Sequence, residues 1–261
     1  MKLRLVWPVS RKKKWQTFLN KPIERNNQKF YKSSKEPHIM ADTLDGLPTS
    51  INIMSIILKG HVNLLLNELR RRLYSNTQYY IFRRDVTLPI SAHKAKIPVT
   101  LRRLHNNDIP KLLNLDEPHL TSNEVLERVR RLRLVKSGIE KCYVVVTPND
   151  TPIGIGWLID ASQNKKIQTF FSGGILPLND DEILSEGGYT VKSYRGQGIQ
   201  RWRICEFLRK AMQSEARWVI GYFNFTNFAT INTLKKNGFE PYMIRSDKWR
   251  LMKRYSIYKP V

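Results

Sequence analysis

The segment Glu186-Gly-Gly-Tyr-Thr-Val-Lys-Ser-Tyr-Arg-Gly-Gln-Gly-Ile-Gln200 decides how this chain is read. It reads as a strand, then an Arg-Gly-x-Gly turn, then a helix that runs on through Ile204, Phe207, Leu208 and Met212. Such a turn presents several backbone N–H groups at the positive end of a helix dipole, and its glycines let a ligand approach the backbone closely. A diphosphate is the expected ligand. Gly187 and Gly188 fall inside the strand, where missing side chains weaken regular pairing and mark a bulge.

Two common nucleotide-binding arrangements do not fit. A Rossmann site needs Gly-x-Gly-x-x-Gly and an acidic residue about 20 positions later. Here position 201 is Arg, and the next strand ends in Tyr222-Phe-Asn224 without a carboxylate. A P-loop needs Gly-Lys-Ser/Thr after its glycines, and that is missing too.

Outward from the turn, hydrophobic periodicity gives alternating helices and strands. On the C-terminal side it predicts a strand at Trp218–Phe223 and a helix at Asn227–Lys236 that stops at Asn237-Gly238. Two short strands follow, near Tyr242–Ile244 and Trp249–Tyr255. On the N-terminal side lie strands at Val99–Leu104, Cys142–Val146 and Ile153–Ile159, with an irregular loop between Ile159 and Glu186. Asn107 or Asp108 caps a short helix through Leu115. Thr121-Ser-Asn-Glu124 has capping-box spacing and opens a helix that ends near Gly138. Further upstream, Val62, Leu65, Leu66, Leu69 and Leu73 set the inward face of a helix at 61–74, and a strand covers Tyr79–Val86. That helix–strand pair is too small to fold alone. The expected organisation is a basic, flexible tail at 1–50, a helix–strand extension at 51–96 packed on the main domain, and an α/β domain at 97–261.

A strand, Tyr194-Arg-Gly-Gln-Gly-Ile199, a helix, an apolar strand and then Asn227…Gly238-Phe239 resemble the GNAT superfamily of acyl-CoA-dependent N-acyltransferases. The resemblance covers roughly residues 97–261. It implies an α/β (α+β) fold with a mixed, mostly antiparallel sheet and flanking helices. It also implies acetyl transfer from acetyl-CoA, a co-substrate, to a small-molecule or protein amine by direct attack in a ternary complex. The amides of Arg195, Gly196, Gln197, Gly198, Ile199 and Gln200 would cradle the CoA pyrophosphate. Tyr189, Thr190 and Val191 would offer backbone groups to the pantetheine arm, and Asn227 would complete the cofactor site. Three positions depart from the pattern: Gln200 stands at the helix start, Thr230 replaces the usual Ala, and Leu234 occupies the place of a general-acid Tyr. If that role is needed, a water or another tyrosine, Tyr222 or Tyr242, must fill it.

An attacking amine must lose a proton, and Glu186 is the candidate base because it sits on the strand that carries the cofactor turn, where partial burial would raise its pKa. A strand-end carboxylate paired with an arginine is the alternative reading. Asp180, Asp181 and Glu182 form an acidic cluster that could attract a cationic amine, although a solvated loop is the simpler expectation. Trp157, Trp218 and Trp249 read as core. No metal is expected, since His105 and His119 lack ligand spacing.

The 261 residues carry a net charge of +23. Residues 1–96 hold 19 Lys and Arg against 6 Asp and Glu. Such charge suits an anionic cofactor and also raises nucleic-acid binding through the N-terminal segment, without any recognisable nucleic-acid module. A GNAT-like scaffold that binds CoA or a partner without efficient catalysis is a further alternative. Cys142 and Cys205 read as buried free thiols of a reducing compartment, which makes the expected location cytoplasmic. The apolar stretch Ile51–Leu66 is interrupted by polar residues and does not read as a membrane span.

Overall fold

A computed structural model describes residues 62–261; the expected tail at 1–50 and the start of the extension lie outside the described residues. The elements, in chain order, are α1 (Val62–Leu73), β1 (Tyr74–Asp85), β2 (Thr100–Arg103), α2 (Ile109–Leu113), α3 (Ser122–Lys136), β3 (Cys142–Val146) and β4 (Pro152–Asp160). Next come α4 (Asn164–Phe170), β5 (Glu182–Thr190), α5 (Ile199–Met212), β6 (Trp218–Asn224), α6 (Phe228–Lys236), β7 (Glu240–Arg250) and β8 (Lys253–Pro260).

The strands form one sheet in the order β2-β3-β4-β5-β6-β1-β7-β8. Every pairing is antiparallel except β5–β6, which is parallel. The mixed, mostly antiparallel sheet is as expected. Helices cover both faces, so successive side chains of the inner strands are buried on opposite sides. Ile81, Trp157, Ile159, Leu184 and Ile220 share one core with Leu112, Leu113, Leu134 and Ile167 of α2, α3 and α4. Phe82, Leu158, Ile183 and Val219 share the other with Ile204, Phe207, Leu208 and Ala211 of α5 and Ile231 and Leu234 of α6.

Three elements differ from the expectation. β1 lies inside the sheet, between β6 and β7, so residues 74–85 form a central strand and not an attachment to a finished domain. The two short closing strands are in fact one long hairpin, and its turn, Leu251-Met252, falls inside the stretch expected to be extended. The presumed loop after Ile159 contains α4. The face of α1 is also turned in part: Leu65 packs inward against Val125 and Val129 as expected, but Leu66, Leu69 and Leu73 are exposed, while Arg72 is buried.

Candidate active site

The site is built where β5 leaves its neighbours. Ile155 pairs with Tyr189 but Trp157 pairs with Glu186, so β5 carries one extra residue there. This is the bulge expected at Gly187-Gly188. It reverses the alternation of the strand, which is why Leu184 and Tyr189 reach the same core although five positions apart. Gly187 has φ +67°, and a Cβ there would lie 2.5 Å from the Trp157 ring; no larger residue fits. On the other side of β5 the parallel pairing with β6 stops at Leu184–Ile220. Beyond that level the two strands part, with Glu186 and Tyr222 at equivalent heights on either side of the gap.

A cleft of about 410 Å³ opens beside this stretch. Its lining includes Gly188, Tyr189 and Thr190 of β5, Tyr194, Arg195, Gly196 and Gly198 of the turn, and Ile199, Gln200, Arg201 and Arg203 of α5. Glu127 of α3 and Thr230 and Thr233 of α6 complete it. Gly198 (φ 76°) is the N-cap of α5 and supplies no side chain to the helix end. The first intrahelical bond is from Trp202 N–H to Gly198 O (3.0 Å), so the amides of Ile199, Gln200 and Arg201 are left for a ligand. The turn is braced from both sides. Arg195 Nε donates to Thr190 O (3.1 Å), Lys96 N–H donates to Gln197 O (2.8 Å), and His93 lies against Gly198.

Thus Arg195 orders the turn and also leaves its charge beside the cleft. Tyr189, Thr190, Arg195, Gly196, Gly198, Ile199 and Gln200, all anticipated from the sequence, come together here. Gln197, Val191 and Asn227 are not among the lining residues. Val191 has both backbone groups engaged, its N–H with Ile153 O and its C=O with Tyr194 N–H. Asn227 caps α6, its side chain accepting from Thr230 N–H (3.3 Å).

Glu186 does not line the cleft; it lies on β5 two residues before Gly188, which does, and beyond the last β5–β6 pair. Its carboxylate accepts from Gly187 N–H (2.9 Å). Burial raises its pKa above the usual carboxylate range, against the opposing pull of the Gly187 amide, Arg131, Arg245 and Arg130. Tyr222 is its counterpart across the gap. Its hydroxyl oxygen accepts from Leu176 N–H (3.1 Å), and burial keeps the phenol protonated. Tyr242 lies under the Arg83 guanidinium. Leu234 is in the core, only 2% exposed. The acidic cluster lies at the opposite end of β5, with Asp181 O accepting from Arg217 and Trp218 N–H.

Two arginines that the sequence did not single out hold the bulge. Arg131 of α3 donates to Gly187 O (3.2 Å) and Gly188 O (2.8 Å) and pairs with Glu127 (2.5 Å). Arg203 of α5 donates to Ile155 O; burial lowers its pKa to about 10. Arg203 was detectable, as a charged residue in the apolar stripe of Ile199, Ile204 and Phe207. Arg131 was not, because its partners are carbonyls that only the bulge exposes. Trp157 and Trp249 are buried and Trp218 is half-buried. Both cysteines are free thiols, with Cys205 buried and Cys142 partly so. Among the described residues no cluster of His, Cys, Asp and Glu could hold a metal ion, and no helix is long and apolar enough to cross a membrane.

No family profile matches the chain, and no curated protein matches it. Among solved structures, a GCN5-related N-acetyltransferase from Sphaerobacter thermophilus is similar over 71% of this chain and 56% of its own, at 12% identity and a TM-score of 0.42. A protein of the GNAT family from Novosphingobium aromaticivorans is similar over 67% and 64%, at 13% identity and a TM-score of 0.43. A Drosophila protein is similar over 74% and 59%, at 14% identity and a TM-score of 0.42. The chain therefore spans less than two thirds of each of these proteins. At such similarity the fold is judged on the chain's own geometry: a bulged strand, its separation from a parallel neighbour, and an amide-lined turn opening a helix between them. That geometry, on a mixed and mostly antiparallel sheet, is the one that the GNAT resemblance implies.

Proposed function

We propose that the cleft binds acetyl-CoA and that the protein transfers the acetyl group to an amine acceptor in a ternary complex. The observation that carries this reading is a single cleft that joins the amide-lined Arg195–Gln200 turn to the bulged end of β5 at Gly188–Thr190. The turn supplies free amides and the charges of Arg195 and Arg201 for a pyrophosphate, and the arm of the cofactor would run along Gly188–Thr190 toward the level where β5 and β6 part. The thioester would supply the electrophilic carbonyl. Glu186 accepts the amine's proton at its carboxylate, a role that its raised pKa suits. Tyr222, held protonated, keeps its O–H proton available as a donor, because the Leu176 contact uses only its oxygen.

Gly196→Trp tests the cofactor site. Gly196 (φ +79°) lines the cleft and has no heavy atom within 4 Å of a built Cβ, so an indole there enters open space. Calorimetry is expected to show acetyl-CoA binding in the micromolar range for the native chain and none for the variant, with far-UV circular dichroism unchanged. Undiminished binding by Gly196→Trp would remove the cleft as the cofactor site. Leu234 in the core favours a second reading, a CoA-binding protein without efficient catalysis. It predicts tight binding but no acceptor-dependent thiol release across an amine panel.

A further inference from the structure

α1 is an amphipathic helix that turns a stripe of leucines outward. Leu66, Leu69 and Leu73, spaced to form one stripe, are 44%, 42% and 43% exposed. The inward face carries Leu65, packed against Val125 and Val129, and beside it a polar network. Glu68 accepts from Arg71 (2.5 Å) and Arg72 (2.9 Å), and both guanidiniums lie over the Trp249 ring. The helix is thus held by one leucine and an ion-pair network on a tryptophan, while three leucines face outward.

The β7–β8 hairpin extends this surface. Its two-residue turn, Leu251-Met252, has φ 48° and 69°. Turns with two positive φ values favour Asn-Gly, and bulky residues there are strained. Yet this turn carries Leu251, 79% exposed, and Met252, 46% exposed. The tip is fastened to the end of α1 by Leu251 N–H to Leu73 O (2.9 Å) and Met252 N–H to Arg72 O (3.0 Å). Tyr74, 67% exposed, lies beside them under the Arg250 guanidinium.

The rim is cationic. Arg70, Lys248 and Lys253 are exposed. Residues 248–254 contain four basic residues and no acidic one, and the acid of α1, Glu68, is already paired. We propose that this surface, the leucine stripe of α1 with the Leu251-Met252 tip, docks the protein on an anionic lipid membrane. Leucines and the tip would enter the acyl boundary while the lysines and arginines meet the headgroup phosphates. Nucleic acid would match the charge but leave the leucines wet. A second copy would place one cationic rim against another.

The test is flotation of the full chain with mixed phosphatidylserine–phosphatidylcholine vesicles and with phosphatidylcholine vesicles alone. The native protein is expected to bind the acidic vesicles in a salt-sensitive way and the neutral ones weakly. Leu251→Asn with Met252→Gly installs the residues that the turn prefers, so folding is kept or strengthened while partitioning falls about tenfold or more. Leu66→Ser with Leu69→Ser is expected to act in the same direction from exposed positions. The proposal is overturned if both double variants float like the native chain, since a basic tail alone would then explain binding. It is equally overturned if neutral and acidic vesicles bind alike. Two further results would sink it: a native dimer that these variants make monomeric without any vesicle binding, or RNA binding that they abolish while vesicles never bind. None of these outcomes depends on acetyl-CoA.

Discussion

Gln200 and Thr230 each depart from what the GNAT resemblance implies, and they depart together. Gln200 Nε2 donates to Thr230 Oγ1 (3.3 Å), joining the start of α5 to α6 along the cleft wall. A small residue at 230 would leave that amide without this partner, so the pair reads as one substitution made twice. Leu234 is a different kind of departure, because its side chain is part of the core and carries no proton to donate. If an acid is needed, Tyr222 is the placed alternative. Tyr222→Phe is expected to lower kcat by about a hundredfold with KM little changed, the lower end of general acid–base effects; an unchanged kcat in stopped-flow thiol release would exclude it. For Glu186 the sign is fixed by its burial. The ionised form is the base, so the rate falls as pH drops through a pKa raised above the ordinary value of about 4.3. Glu186→Gln should abolish that acidic limb of the kcat/KM profile along with most of the rate. Glu186 was legible because it sits on the strand that carries the turn. Arg131 was not, because its role depends on carbonyls exposed by a bulge 56 residues downstream.

Elements closed by local chemistry were legible, and those closed by distant contacts were not. The α3 start is the clearest case. Thr121 Oγ1 accepts from Glu124 N–H (3.3 Å), and the Glu124 carboxylate accepts from Thr121 N–H (3.0 Å). Bonds from the Thr121 hydroxyl and amide hold the Glu124 pKa down to about 2. Thr121→Ala should cost about 1 kcal/mol, read as a lower midpoint in urea unfolding with an unchanged slope. A depressed carboxylate contributes stability above its unfolded pKa and loses it as pH falls toward the folded one. The deficit of the variant should therefore shrink on acidification. α1 misled because periodicity reports an apolar face but not the direction in which that face is mounted. The choice was made by Trp249, which pairs with Ser75 in the sheet and receives Arg71 and Arg72. The hairpin misled because Leu251-Met252 carries none of the glycine or asparagine that announces a turn.

At the scale of the whole molecule, the position of β1 decides what can fold. Its register joins Tyr79–Asp85 to β6 and Tyr74–Arg83 to β7, and β6 and β7 do not touch each other in the sheet order. Ile81 and Phe82, each 1% exposed, supply one side chain to each core, worth about 1.5–3 kcal/mol apiece by burial. Against a total stability of about 5–15 kcal/mol, their loss together with two ladders is decisive. The segment before β2 also braces the turn through His93 and Lys96, so the proposed cofactor site depends on the same segment as the fold. A fragment 97–261, the unit that hydrophobic patterning suggests, is therefore expected to show no cooperative thermal transition and to bind no acetyl-CoA. A fragment 62–261 should show both. Calorimetry on the two fragments makes the comparison directly. A sharp transition in 97–261 would mean that β6 and β7 close on each other when β1 is absent, leaving residues 62–96 as a separable addition to the domain.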